Sequence, residues 1–232
     1  MKNILVTAVL IGAVSFLSGC TSIMMFQSAK TVPQGNLETG VGLAAGSESQ
    51  RHMLANFDLS YPSVAGNAWL RYGLTPNWDA GANLSIPGSL TVDTKVMLLN
   101  EDKGAPLTFS LGAGGTFSAI TDNDSSVDKK QDYNDVFVPL YVSKDVADWL
   151  TLYISPRYIY RHTYNEMTRG GVTSSENIYD DMWGLGGGLR FNVTDKTGIL
   201  LECQHMAPFK DPSFSSTQCG AGLATRWGFG RD

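Results

Sequence analysis

The sequence predicts an all-β fold: an antiparallel up-and-down transmembrane β-barrel of about ten strands. Three observations predict it. Apolar residues recur at every second position through several windows of nine or more residues, the period of a strand whose successive side chains face opposite ways. The breaks between strands alternate between short turns and mostly long polar stretches, as in a barrel that crosses a membrane repeatedly. Glycine is abundant, 25 of 232 residues against about 7% in average proteins, while charge is sparse at 17%.

Turn-rich breaks leave ten candidate strands, at 36–45, 66–74, 77–86, 90–99, 106–119, 134–143, 149–163, 179–192, 197–206 and 215–229. The first places Glu38, Gly40 and Gly42 on one face, and the second puts Arg71 opposite in sense to Tyr72. The third sets Trp78, Ala80, Ala82, Leu84 and Ile86 against Asp79, Gly81, Asn83 and Ser85. In the fourth, Asp93 and Lys95 share the polar face. The fifth divides Leu107, Phe109, Leu111, Ala113 and Phe117 from Thr108, Ser110, Gly112, Gly114, Thr116 and Ser118. The sixth lies between a polar stretch and the turn 144–148. The seventh separates Arg157 from Tyr158 and Tyr160. The eighth sets Trp183, Leu185, Leu189 and Phe191 against Gly184, Gly186, Gly188 and Arg190. The ninth opposes Leu201 and Cys203 to Glu202, and the tenth opposes Cys219, Ala221 and Leu223 to Gly220, Gly222 and Arg226. Helical spacing does not survive in these windows.

The short connections are 75–77, 100–105, 144–148 and 193–196. The other set is 46–65, 120–133, 164–178 and 207–214, with 87–89 as its one tight member. An even strand count puts both ends of the barrel on the side of the short turns. A mean hydropathy of −0.08 leaves no room for several helical spans of about 20 apolar residues. Trp78, Trp149, Trp227 and Tyr72 fall near the short-turn side, and Trp183, Tyr158 and Tyr160 towards the other rim, as in interfacial aromatic belts.

With the apolar face towards lipid, the other face lines a lumen. Its bases are Arg71, Lys95, Arg157, Arg190 and Arg226, and its acids Glu38, Asp79, Asp93 and Glu202. Confined charges are expected to pair, because an unpaired one bears its desolvation alone. A three-residue hairpin at 87–89 sets Asn83 opposite Asp93 with Lys95 diagonal to Asp79, and the 193–196 turn brings Arg190 close to Glu202. Inward glycines leave space for large side chains from facing strands. A phosphate-loop reading of 184–188 fails, since no helical pattern follows it. A balanced, interlocked lumen predicts a plugged barrel more than a charge-selective pore.

Residues 1–20, MKNILVTAVLIGAVSFLSGC, combine a basic start, a short uncharged apolar run and small residues before Cys20. That is a secretory signal, too short to span. Leu17-Ser18-Gly19-Cys20 resembles the bacterial lipobox. The resemblance implies cleavage of a 1–19 signal peptide and a mature N-terminal Cys20 carrying three acyl chains, a stable palmitate-type anchor. Thr21 stands where an Asp would imply retention at the inner membrane, so the analogy sends the anchor to the outer membrane, with the N-terminus on the periplasmic side. Residues 20–35 become a lipid-anchored linker and 36–232 the barrel domain. Apart from that covalent lipid no cofactor is expected. The implied partners are outer-membrane lipid and the lipoprotein-sorting and barrel-assembly machineries. The ending Trp227-Gly228-Phe229-Gly230-Arg231-Asp232 departs from the terminal aromatic of many outer-membrane barrels.

Cys203 and Cys219 are equidistant from Asp211 and share the outward parity, which in an oxidising compartment favours a disulfide; two buried free thiols are the alternative. No Cys/His spacing suggests zinc. Histidine is limited to His52, His162 and His205. Asp180 and Asp181 beside His205 form the only acid/base grouping worth weighing, and His205 has outward parity. Residues 121–128 place oxygen ligands at alternate positions but lack the glycine and glutamate of a calcium loop. A formal charge of −5 argues against nucleic acid as the main partner. No catalytic or metal-binding residue is assigned. The reading is a non-enzymatic outer-membrane lipoprotein, structural or interacting with extracellular ligands through 46–65, 120–133 and 164–178. Its alternatives are a narrow channel for small solutes, a rim-site hydrolase and a soluble lipid-anchored periplasmic barrel.

Overall fold

The computed structural model describes residues 22–49, 60–86, 88–124, 127–211 and 215–228. Its strands are β1 (Asn36–Ser49), β2 (Ser60–Thr75), β3 (Trp78–Ile86), β4 (Ser89–Leu99), β5 (Thr108–Asp124), β6 (Val127–Ala147), β7 (Leu150–Arg169), β8 (Val172–Asn192), β9 (Thr197–Pro208) and β10 (Ser216–Gly228). They close into one barrel, each paired antiparallel with its sequence neighbours and β1 with β10. Every expected strand is present. A short 3-10 segment, Glu101–Lys103, fills the β4–β5 connection, and no described helix is long and apolar enough to cross a membrane.

Alternation decides which face meets which medium. Val41, Leu43, Leu70, Leu84, Val136 and Ile154 are exposed on the outer wall, while Glu38, Arg71, Asp79, Lys95, Ser110 and Glu202 are buried inside. A barrel whose outside is apolar and whose inside is polar is inverted relative to a soluble one, and fits hydrocarbon around it. Outward Trp78, Trp149, Trp227 and Tyr72 sit near the end carrying the short turns, the turn end; Tyr158, Tyr160, Tyr179 and Trp183 sit towards the other, the hairpin end.

Strands overrun their expected bounds at the hairpin end. The described residues of 120–133, and 164–178 up to a tight turn, are paired strand rather than loop: β5–β6 stays paired to Asp124↔Val127 and β7–β8 to Arg169↔Val172. Hydrophobic alternation is needed only where one face meets lipid. Beyond it both faces are polar, so the sequence period vanishes while the hydrogen-bond ladder continues. Gly170 and Gly171, at φ +58° and +79°, supply the two left-handed residues of a tight hairpin turn. Because 9–11 residues suffice to span, β7 and β8, at 20 and 21 residues, stand well beyond the apolar band.

The β3–β4 register also differs from expectation. Ser85 pairs with Ser89, which puts Asp79 opposite Lys95 and Gly81, rather than Asn83, opposite Asp93. A two-residue slip keeps every side chain on its own face, so alternation alone does not separate the two registers.

The segment expected as a lipid-anchored linker over 20–35 runs, from Ser22 onward, through the lumen. Ile23, Met24, Met25, Phe26, Ala29 and Val32 are buried there. Ile23-Met24-Met25-Phe26 is too apolar to remain in water, and it reaches no sheet edge because the barrel is closed. Its backbone groups are satisfied by lumen side chains instead of a ladder.

Candidate functional site in the barrel lumen

The nine charged residues assigned to the lumen lie on the inner wall, in three groups. The first is centred on Arg71, whose guanidinium donates to the carboxylates of both Asp79 and Asp93. Lys95 lies 3.9 Å from Asp79 and passes 5.2 Å from the centroid of the Tyr141 ring. Asp79 is fully buried (0% exposed) and Lys95 nearly so (2%).

The second group is at the turn end, where Glu38 accepts from Arg190 at 3.0 Å and has Arg226 at 3.8 Å. Arg190 therefore pairs with Glu38, not with Glu202 as the turn geometry had suggested. Closure of the barrel causes this: pairing β10 with β1 brings β1 within side-chain reach of β8, two strands beyond β10, a proximity that hairpin arithmetic does not see. The third group joins Arg157 to Gln204, and Glu202 to Tyr153 Oη at 2.9 Å and Gln204 Nε2 at 2.6 Å.

The first and third groups, with neighbouring wall residues, leave hydrogen-bonding capacity for the N-terminal segment. Ile23 N donates to Gln218 Oε1 at 3.1 Å, and Ile23 O accepts from Arg157 at 2.9 Å. Asn83 Nδ2 donates to Met24 O at 3.1 Å, and Met25 N donates to Glu202 Oε1 at 2.9 Å. Lys95 Nζ bridges the carbonyls of Ser28 (2.7 Å) and Lys30 (2.9 Å), Ser110 Oγ donates to Ala29 O, and Val32 N donates to Asp79 Oδ2 at 2.8 Å. The lumen thus holds backbone rather than side chains over most of the segment. Below it, Lys30 Nζ reaches Asp102 at 3.0 Å and Asp145 at 2.5 Å. Partial burial works against its charge, but those two carboxylates outweigh that and hold the ammonium above the ordinary lysine range.

Apolar contacts complete the seal. Phe26 stacks on Trp69, and the inward glycines make room: a Cβ on Gly42 or Gly220 would come 3.1 Å from the Phe26 ring, and one on Gly40 would strike the Trp69 ring at 2.1 Å. Ile23 and Met25 pack with Phe137, Tyr141, Ile159, Met182 and Met206. Beneath the segment, a cavity of about 810 Å³ at the turn end is lined by residues including Glu38, Arg71, Lys95, Arg190 and Arg226.

Sequence reasoning missed the segment itself, and with it Gln204, Gln218, Tyr141, Tyr153 and Trp69 as lumen-filling groups. The signal was there in Ile23–Phe26, an apolar run just after the lipobox-like motif. It also missed the Asp135–Arg161 pair, bidentate at 2.8 Å, which lies on register-opposed residues of β6 and β7.

Cys203 and Cys219 are register partners on β9 and β10 and are disulfide-bonded, with Cα atoms 4.0 Å apart. The rim residues do not converge. His205 bonds Thr217 at 2.8 Å and lies tilted against the Trp183 ring, Asp181 accepts from Tyr158, and His162 bonds Asn177 at 2.9 Å. Residues 121–124 and 127–128 are paired strand rather than a cation loop. Among the described residues no cluster of His, Cys, Asp and Glu could hold a metal ion. Cys20 and His52 lie outside the described residues.

In structure, the chain is similar to the outer membrane protease OmpT from Escherichia coli, with a TM-score of 0.58 at 12% identity over 86% of this chain and 100% of that one. It is also similar to the translocator domain of the autotransporter NalP from Neisseria meningitidis, at 0.50 and 9% identity over 96% and 95%. At these identities the likeness is one of fold alone. No curated protein matches the sequence. A family model described as a membrane bound beta barrel domain (DUF5777) matches residues 19–230. An outer wall of exposed leucine and valine around a buried, charged lumen is what that description requires, and the chain belongs to this family of membrane-bound β-barrel domains.

Proposed function

We propose that this is a non-enzymatic outer-membrane lipoprotein that presents its projecting hairpins to extracellular ligands, with Cys20 lipidated and the turn end in the periplasm. One observation carries the reading: β7 and β8 remain paired out to Arg169 and Val172, about ten residues past the level of the β3–β4 tip. At roughly 3.3 Å per residue and a tilt near 40°, that hairpin stands about 25 Å clear of the band. Its residues 161–178 are largely polar, and a polar sheet of that size has no role inside hydrocarbon.

The plugged lumen supports an interaction role over a channel. The separation of His205 from Asp181 supports a non-enzymatic one. The exposed leucine and valine of the outer wall weigh against a soluble periplasmic barrel. Outer-membrane lipid would surround the apolar band, with the lipoprotein-sorting and barrel-assembly machineries delivering the chain.

The test is an epitope inserted between Gly170 and Gly171, read with antibody on intact cells. Accessibility without permeabilisation supports the orientation; a tag reached only after permeabilisation overturns it. Replacing 163–178 by a two-residue turn is expected to leave heat-modifiable gel migration intact while abolishing binding to host or matrix surfaces. Retained binding would move the interaction elsewhere.

A further inference from the structure

The N-terminal segment has a direction. Its later residues lie at the turn end: Thr31 Oγ1 donates to Pro76 O in the β2–β3 turn at 3.2 Å, and Lys30 reaches Asp102 and Asp145 beside the next two turns. Its earlier residues lie deep. Ile23 N is held by Gln218, which pairs with Gly46, ten residues along β1 from Asn36. Ile23 packs with Met182 and Met206, close to the hairpin-end limits of the apolar band. Allowing for strand tilt, the segment climbs roughly 20 Å from residue 32 to residue 23.

Chain reach then decides where an anchor sits. Cys20 is two residues before Ser22, so its Cα lies within about 7.6 Å of that of Ser22. The turn-end membrane boundary is far beyond this reach. Acyl chains have no place within the lumen, which is filled and lined by Arg157, Glu202, Gln204 and Gln218. The lumen also has the means to hold an extended chain in this sense, because eight backbone groups between Ile23 and Val32 meet a side-chain partner on the wall.

We propose that the barrel is the conduit for its own N-terminus: the chain enters β1 from the periplasmic side, but residues 22–32 thread back through the lumen and deliver the lipid-bearing Cys20 to the cell surface. This rests on the lipidation and orientation proposed above. It replaces the inner-leaflet anchor that the motif at 17–21 implies. On the hairpin-end rim the short β3–β4 lip carries exposed Ile86 and Leu90, which offer an apolar edge over which acyl chains pass into the outer leaflet.

The experiment uses the full chain in cells, with a short epitope inserted between Thr21 and Ser22, and the Gly170–Gly171 tag as a separate control. A second pair of substitutions, Met24→Cys with Asn83→Cys in a Cys203→Ala/Cys219→Ala background, reports lumen occupancy through a cross-link mapped by peptide mass spectrometry. The expected result is a cross-link together with N-terminal antibody signal on intact cells that permeabilisation does not raise. An N-terminal tag reached only after permeabilisation, while the Gly170–Gly171 tag is reached on intact cells, overturns the threading and leaves the orientation standing. Absence of the cross-link overturns it equally. If both tags need permeabilisation, the orientation itself fails, and surface display with it.

Discussion

The Phe26 ring lies on the Trp69 indole, centroids 5.1 Å apart and planes 16° from parallel. Phe26 belongs to the inserted segment and Trp69 to the wall, so this one stack couples the plug to the barrel. Four wall glycines border it: Gly40 and Gly222 lie against Trp69, Gly42 and Gly220 against Phe26. Offset aromatic pairs add about 0.5–1.5 kcal/mol beyond their buried area.

Phe26→Ala removes the stack and the burial together. Core Phe→Ala changes cost about 3–5 kcal/mol, and the low end applies here because water can enter from the cavity below. The expected loss is about 3 kcal/mol in equilibrium urea unfolding of the detergent-folded protein, with the Trp69 contribution to fluorescence shifted to the red. A loss below about 0.5 kcal/mol, the range of surface substitutions, would mean that Phe26 is not seated on Trp69.

Asp79 is the hinge of the first charge group: it takes Arg71 on one oxygen and the Val32 N–H on the other, with Lys95 nearby. Asp79→Ala leaves two buried cations facing Asp93 and strands a backbone donor. Breaking such a pair from one side costs about 3–5 kcal/mol, whereas replacing both partners by apolar groups is often near neutral. The single variant is expected to lose at least about 3 kcal/mol, and Asp79→Leu with Arg71→Met to recover most of it. Equal losses in the two proteins would show that the pairing contributes little.

The wall was readable because the membrane imposes a period of two on every strand that crosses it. All ten strands, their facing and the inward sense of Arg71, Asp79, Lys95 and Glu202 follow from that rule. It is silent where lipid stops acting, which is why the paired stretches 120–124 and 164–169 resembled loops. It is also silent about partners across the lumen. Glu38 and Arg190 are 152 residues apart and meet only because β10 closes on β1. The plug was hidden for a third reason: the backbone between Ile23 and Val32 is satisfied by side chains scattered over six strands, and no local spacing records that.

Cys203 and Cys219 close a stretch of 16 residues between strands that are already paired. Chain-entropy reasoning for a loop of this length gives about 3 kcal/mol, an upper figure where the unfolded chain retains structure. Cys203→Ser with Cys219→Ser is expected to keep the fold and to lower unfolding stability by no more than that. Thiol titration of the denatured, unreduced wild-type chain should find neither residue free. Reactivity from both would exclude the disulfide.

Deleting residues 22–32 tests what the segment does to permeation. A ten-stranded barrel is only slightly wider than the eight-stranded size that side chains fill alone. Here the wall's large side chains, Trp69, Phe137 and Tyr141, close on the segment rather than on each other, since glycines stand beside them. Without the segment, Asn83, Glu202 and Gln218 lose their backbone partners and take up water, and a continuous wet path opens above the turn-end cavity. Planar-bilayer recording is expected to show no steps for the wild-type protein and small, weakly selective ones for the deletion. Weak selectivity follows from nearly balanced wall charge, five bases against four acids in the three groups. Nanosiemens conductance from the wild-type chain would contradict the seal. Silence from both proteins would assign closure to the wall alone, and the segment would then serve only to route the N-terminus.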